Sequence, residues 1–172
     1  MAETDTETSI RAKPPGPGSR LGILVLAATL AVDQATKWIA DASLELNVPT
    51  DILPILALHL TYNPGIAFSF FTGASSGVLL AAVSVVTLVV LVLWARANEG
   101  GRLATVGFAL IVGGALGNII DRLVYGHVVD FLWLHLGDRG LFVFNLADFA
   151  LTLGPIILIA AFIWGPRPKR SE

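Results

Sequence analysis

Four apolar runs decide what this chain can become. They extend from Leu21 to Ile39, Val78 to Trp94, Leu103 to Ile120 and Phe149 to Trp164. A helix as long as the first run spans about 28 Å, close to the hydrocarbon thickness of a bilayer. Runs of this kind predict a membrane protein with an all-α core of four transmembrane helices, over about 21–40, 77–95, 103–121 and 147–164. Composition agrees. With 55% hydrophobic and 14% charged residues, the chain is too apolar for an ordinary soluble domain of this length. It has no cysteine, which excludes disulfides, thiol catalysis and cysteine-bound metal. No basic cluster is interleaved with aromatics, so no nucleic-acid partner is expected.

The regions outside the runs divide sharply. Residues 1–19 are polar, with Pro14, Pro15, Gly16, Pro17 and Gly18, and read as a disordered tail. The domain then covers 20–166, and 167–172 form a short basic tail. Lys and Arg sit in the N-terminal tail (Arg11, Lys13, Arg20), between runs two and three (Arg96, Arg102), and at the C-terminus (Arg167, Lys169, Arg170). Residues 41–76 contain none, and the segment after run three holds only Arg122 and Arg139. By the positive-inside rule both termini are cytoplasmic and both long segments face outward. The first run carries Asp33 and Lys37 and is followed by three others, so it reads as a retained span rather than a cleaved leader.

The outward segments have a pattern of their own. Asp51 to Phe71 is rich in Ile, Leu and Phe, broken by Pro54 and by Pro64-Gly65, which predicts a small β-rich segment at the membrane interface. Val128 to Leu136 predicts a second, short interfacial element, helix or strand, closed by the turn Gly137-Asp138-Arg139-Gly140.

Polar groups gather where the chain enters and leaves the apolar phase, and an ionisable side chain in hydrocarbon costs about 2.5–3.5 kcal/mol on the most lenient scale. Asp33 and Lys37 are four apart and share a helix face. Either they form a structural ion pair, or Asp33 supports a site while Lys37 snorkels toward substrate or lipid phosphate. Asn118, Asp121 and Arg122 converge at the outer end of the third run, behind Gly113, Gly114 and Gly117, which read as close-packing positions. Arg122 either clasps Asp121 or holds a carbonyl or phosphate of a ligand. Asp148 suits the positive end of the fourth helix as a capping residue, whereas Asp130 lies among apolar neighbours with no such reason. If two of these carboxylates meet, repulsion and desolvation favour one shared proton near neutral pH, as a water-activating acid/base pair needs. The residues alone do not choose Asp130 over Asp121. His127, Asp130 and His135 match no ligand spacing, so no metal or other cofactor is expected. His59 reads as a surface-facing residue in an alternating run.

The chain resembles the signal peptidase II family, the lipoprotein signal peptidases of bacterial inner membranes. The likeness covers roughly Leu21 to Trp164. It rests on Asp33-Gln34-Ala35-Thr36-Lys37, Asn63-Pro64-Gly65-Ile66-Ala67-Phe68-Ser69, Gly113 to Arg122, Val129-Asp130-Phe131 and Phe144-Asn145-Leu146-Ala147-Asp148, in that order. The resemblance implies an aspartic endopeptidase with Asp130 and Asp148 as the catalytic pair. It assigns supporting roles to Asp33, Lys37, Asn63, Gly65, Asn118, Asp121, Arg122 and Asn145. It further implies diacylglyceryl-modified prolipoproteins as substrates, cut just before the lipidated cysteine at the outer interface, with membrane lipid as a partner and globomycin as an inhibitor. One departure is Ile66, where the family usually has Ala, a bulkier side chain beside Asn63. Residue chemistry also admits another class, a small proton-coupled transporter or channel subunit, whose carboxylates belong near the midplane.

Overall fold

The computed structural model describes residues 15–64, 76–97, 101–137 and 139–164. Among the described residues there are four helices: α1 (Arg20–Ser43), α2 (Ser76–Arg96), α3 (Gly101–Tyr125) and α4 (Leu146–Trp164). Four strands accompany them: β1 (Thr50–Leu53), β2 (Leu56–Asn63), β3 (Val128–Leu136) and β4 (Arg139–Phe144). The helices fall on the four apolar runs and extend a few residues past them. By length and composition α1 and α3 suffice to cross a bilayer, and the apolar stretches Leu80–Arg96 and Leu146–Ala161 are shorter.

The exposure pattern is inverted relative to a protein dissolved in water. Ile23, Leu24 and Val32 on α1, Val85, Val86 and Leu88 on α2, and Ile156 and Ile159 on α4 are exposed. Asp33, Lys37, Asn118, Asp121, Asp130 and Asn145 are buried. A large exposed apolar surface wrapped around a polar interior is what a hydrocarbon solvent selects.

Helix α3 is the centre, packed against α4, α1 and α2. On one side Trp94, Ala109 and Val112 form a small apolar core, with Phe108 stacked on Trp94 at 6.0 Å between ring centroids. On the other, α3 and α1 approach so closely that a Cβ at Gly117 would collide with the Asp33 carboxylate. Glycine there admits a charged group between two helices, which is a stronger demand than close packing alone. The N-terminal segment is tied to this bundle. The Pro15 carbonyl accepts from Thr105 Oγ1 at 2.6 Å and Trp94 Nε1 at 3.3 Å, and Ser19 caps α1. The end of the expected tail, residues 15–19, is thus anchored, and 1–14 lie outside the described residues.

The two outward segments, read separately from sequence, form one antiparallel sheet in the order β1-β2-β3-β4. Strand β2 pairs with β3 across the two segments, with Thr61 opposite Asp130 and Asn63 opposite Val128. The element after the third run is therefore a strand; Arg139 and Gly140 of the expected turn begin β4, which had no expectation of its own, and Asp138 lies outside the described residues. Two short connections aim this sheet. Gly126, at φ 77°, ends α3 in the left-handed conformation favoured by glycine and starts β3 two residues later. Asn145 alone separates β4 from α4.

Candidate active site

The site grows from the single residue between β4 and α4. Asn145 is fully buried. Its Oδ1 accepts the backbone N–H of Asp148 at 2.9 Å, and the Asp148 carboxylate accepts the backbone N–H of Asn145 at 3.3 Å. This is a reciprocal capping box, so Asn145 is the capping residue and Asp148 stands three positions on. The cap expected at Asp148 belongs to Asn145. The amide nitrogen of Asn145 is left free to donate elsewhere, and it reaches Asp130 Oδ1 at 2.7 Å.

Asp130, on β3, also accepts from Asn63 Nδ2 at 3.0 Å through its second oxygen. Asp148 accepts from Asn118 Nδ2 at 2.8 Å. Both carboxylates thus receive hydrogen bonds from uncharged donors, and both line one groove of about 850 Å³. The groove has two unlike walls. Thr61, Tyr62 and Asn63 form one, and Leu141, Phe142, Phe144, Phe149 and Leu151 form the other. Burial, and then the Asp148 charge, push the Asp130 carboxyl up to about 7, against the Asn63 and Asn145 hydrogen bonds, which pull it down. A carboxyl at that value is half protonated at neutral pH.

The remaining charges are arranged differently. Lys37 is 3% exposed and its ammonium touches three acceptors: Asp33 Oδ2 at 2.9 Å, Asp121 Oδ2 at 2.8 Å and Asn118 Oδ1 at 2.9 Å. Snorkelling toward lipid or substrate is thereby replaced by the ion pair, extended to a third partner. Asp33 Oδ1 accepts the Ala147 N–H at 2.8 Å, placing a negative charge on the α4 N-terminus. Asp121 accepts the Val129 N–H at 3.1 Å and so ties α3 to β3. It does not line the groove.

Arg122 closes no ion pair with Asp121. It donates to the Asn118 carbonyl at 3.1 Å, lines the groove, and keeps a buried Nε with no hydrogen-bond partner among the described residues. Gly65 and Ile66 lie outside the described residues. His59 is half-buried with its ring 5.5 Å from Trp133. His135 stacks on Trp133 at 4.6 Å and lies 3.3 Å from Asp51, away from the groove.

Sequence reasoning passed over Gln34. Its amide nitrogen donates to Asp121 Oδ1 at 2.9 Å and approaches the Gly117 carbonyl and Asp33 Oδ2, both at 3.3 Å. A polar residue beside Asp33, three before Lys37, was the available signal. The groove wall from β4 had no signal, because its residues read as generic apolar chain.

A family model described as signal peptidase (SPase) II matches residues 25–164. The lipoprotein signal peptidase of Mesorhizobium japonicum is 43% identical over 150 residues, covering 87% of this chain and 89% of that one. That of Brucella ovis is 39% identical over 152 residues, covering 88% and 94%. Two solved structures described as bacterial membrane enzymes superpose with TM-scores of 0.72 and 0.73, at 27% and 26% identity. They cover 83% of this chain in both cases, and 87% and 92% of their own.

Proposed function

The chain belongs to the signal peptidase II family, a membrane peptidase that removes signal peptides from prolipoproteins, and from that premise we propose that it is an aspartic endopeptidase working through Asp130 and Asp148. The observation that carries the proposal is the pair itself. These two carboxylates share one groove, receive only uncharged donors, and one of them titrates near neutrality. A peptide carbonyl between them meets a base and an acid together.

In the reaction, one carboxylate takes a proton from water as the water oxygen bonds to the carbonyl carbon. The other gives its proton to the carbonyl oxygen and recovers it when the tetrahedral intermediate collapses. The C–N bond breaks, and the first, now an acid, protonates the leaving amine. No acyl-enzyme intermediate forms. Asn63, Asn118 and Asn145 hold the two carboxylates, and the unpartnered Arg122 Nε suits a substrate carbonyl or a lipid phosphate.

The domain is 20–166, with four spans, both termini in the cytoplasm of a bacterium bounded by an inner membrane, and the groove at the outer face. The distribution of Lys and Arg supports that orientation. The substrate is a prolipoprotein carrying diacylglycerol on the cysteine that follows the cut. The apolar wall of Phe142, Phe144 and Phe149 supports a lipidated substrate, and globomycin is expected to compete for the groove. A transporter gains no support, since the buried ionisable groups are knotted together at the sheet end of the bundle rather than strung along a path.

The test is cleavage of a diacylglyceryl-prolipoprotein by purified enzyme, comparing wild type with Asp130→Asn, Asp148→Asn and Asp121→Asn. Loss in the first two with residual activity in the third is expected. Near wild-type cutting by folded Asp130→Asn would make Asp121 the candidate partner and end this assignment.

A further inference from the structure

A carboxamide looks symmetrical, and a catalytic site that leans on three of them needs something to set which end is oxygen. Two of the three are set unambiguously here. Lys37 Nζ can only donate, so the Asn118 atom 2.9 Å from it is the oxygen. The other end of Asn118 is then the NH2, and it donates to Asp148 Oδ1. The backbone N–H of Asp148 can only donate as well, so the Asn145 atom it reaches is oxygen and the Asn145 nitrogen must face Asp130. The Asn145 nitrogen adds a weaker 3.2 Å contact to the same Asn118 oxygen.

The two carboxylates are treated unequally by this wiring. Asp148 lies in the first turn of α4, where helix N–H groups favour negative charge, and accepts a backbone N–H in addition to the Asn118 amide. Behind that amide stands the Lys37 ammonium, which polarises it toward donation. Asp130 sits in a strand, with no helix terminus and, among the described residues, no cation in contact. Among the described residues, the charged groups that act on Asp148 are Asp33 and Lys37 from α1, Arg122 from α3, and Asp130 from β3. Lys37 already satisfies Asp33 and Asp121 with two of its three donors, and the third goes to Asn118.

We propose that Lys37 is a positioning residue that locks the Asn118 amide as a donor to Asp148, so that Asp148 is the charged member of the pair and takes the proton of water while Asp130 holds the proton given to the carbonyl oxygen. This rests on the aspartic-pair reading above. Lys37 touches neither substrate nor reacting atoms, being closed off from the groove.

The experiment measures kcat and KM of the full-length enzyme between pH 5 and 9, per folded molecule, on a diacylglyceryl-prolipoprotein. Asn118→Asp is the informative variant, because it keeps an acceptor for Lys37 and replaces the donor to Asp148 with a second acceptor. It is expected to lower kcat about 30-fold or more, leave KM within about twofold, and move the acid limb of the rate profile up by about one pH unit. Lys37→Met is expected to change the same parameters in the same direction. If Lys37→Met does not fold, Asn118→Asp decides alone. A folded Asn118→Asp with the wild-type profile, or with a change confined to KM, overturns the inference. Asp130→Asn and Asp148→Asn run alongside. If they cut normally, the aspartic reading itself falls, whereas if they are dead and the Asn118→Asp profile is unmoved, only the role of Lys37 falls.

Discussion

Asp33 and Asp121 are buried as deeply as Asp130, yet the two kinds of carboxylate live in different chemistry. Asp33 and Asp121 share the Lys37 ammonium and each takes a backbone N–H, from Ala147 and Val129. Asp130 and Asp148 have no cation in contact among the described residues and are held by carboxamides, with one backbone N–H at Asp148. A buried carboxylate with a cation works as a rivet between elements. One held by neutral donors and opened to a groove keeps its titration within reach of neutral pH. The same residue type thus divides into structure and chemistry according to whether its partner is charged.

The sharpest way to break this division is to exchange the consequences. Asp130→Asn and Asp148→Asn should each cost about 10²–10⁴ in turnover of the prolipoprotein substrate while the protein stays folded. Asp33→Ala should do the reverse. It strands Lys37 and the α4 N-terminus, so stability should drop by about 3–5 kcal/mol, read as a lowered unfolding midpoint of the purified protein. The molecules that remain folded should lose less activity than either Asn variant. If Asp33→Ala stays as stable as wild type, its carboxylate is no rivet and the division fails. Gly117→Ala tests the same contact from the other helix and should cost about 1–3 kcal/mol by forcing a methyl group against Asp33.

How far the chain announces this arrangement depends on the range of the signal. The helices were legible because a hydrocarbon solvent leaves long apolar runs that few other structures require. The groups that matter were legible as exceptions to those runs. Their pairing was not. Asp121 and Asp130 look alike in sequence, and only β2 crossing to β3 puts Asn63 on Asp130 while Lys37 and Gln34 occupy Asp121. The single sheet was hidden for the same reason, since strand pairing joins segments separated by α2 and α3 and leaves no local trace. Lys37 stayed between an ion pair and snorkelling because its third partner, Asn118, is 81 residues away.

The smallest expected effect sharpens the comparison most, because it asks whether Asp130 titrates in the folded protein at all. Its carboxyl is raised from 3.8 to about 7, with burial as the first cause. Between about pH 4 and 7 the folded protein therefore holds a proton that the unfolded chain has released. Stability must fall as pH rises through that window and level off on either side. Asp130→Asn cannot titrate there, so the unfolding midpoint of the variant minus that of wild type should grow from pH 5 to pH 8, by a few degrees. The Asp148 charge is the second cause. Asp148→Asn should accordingly narrow the window from its upper end without abolishing it, since burial of Asp130 remains. A flat difference for Asp130→Asn would mean that its carboxylate does not change charge over this range, and that neutral donors alone do not distinguish the chemical pair from the structural one.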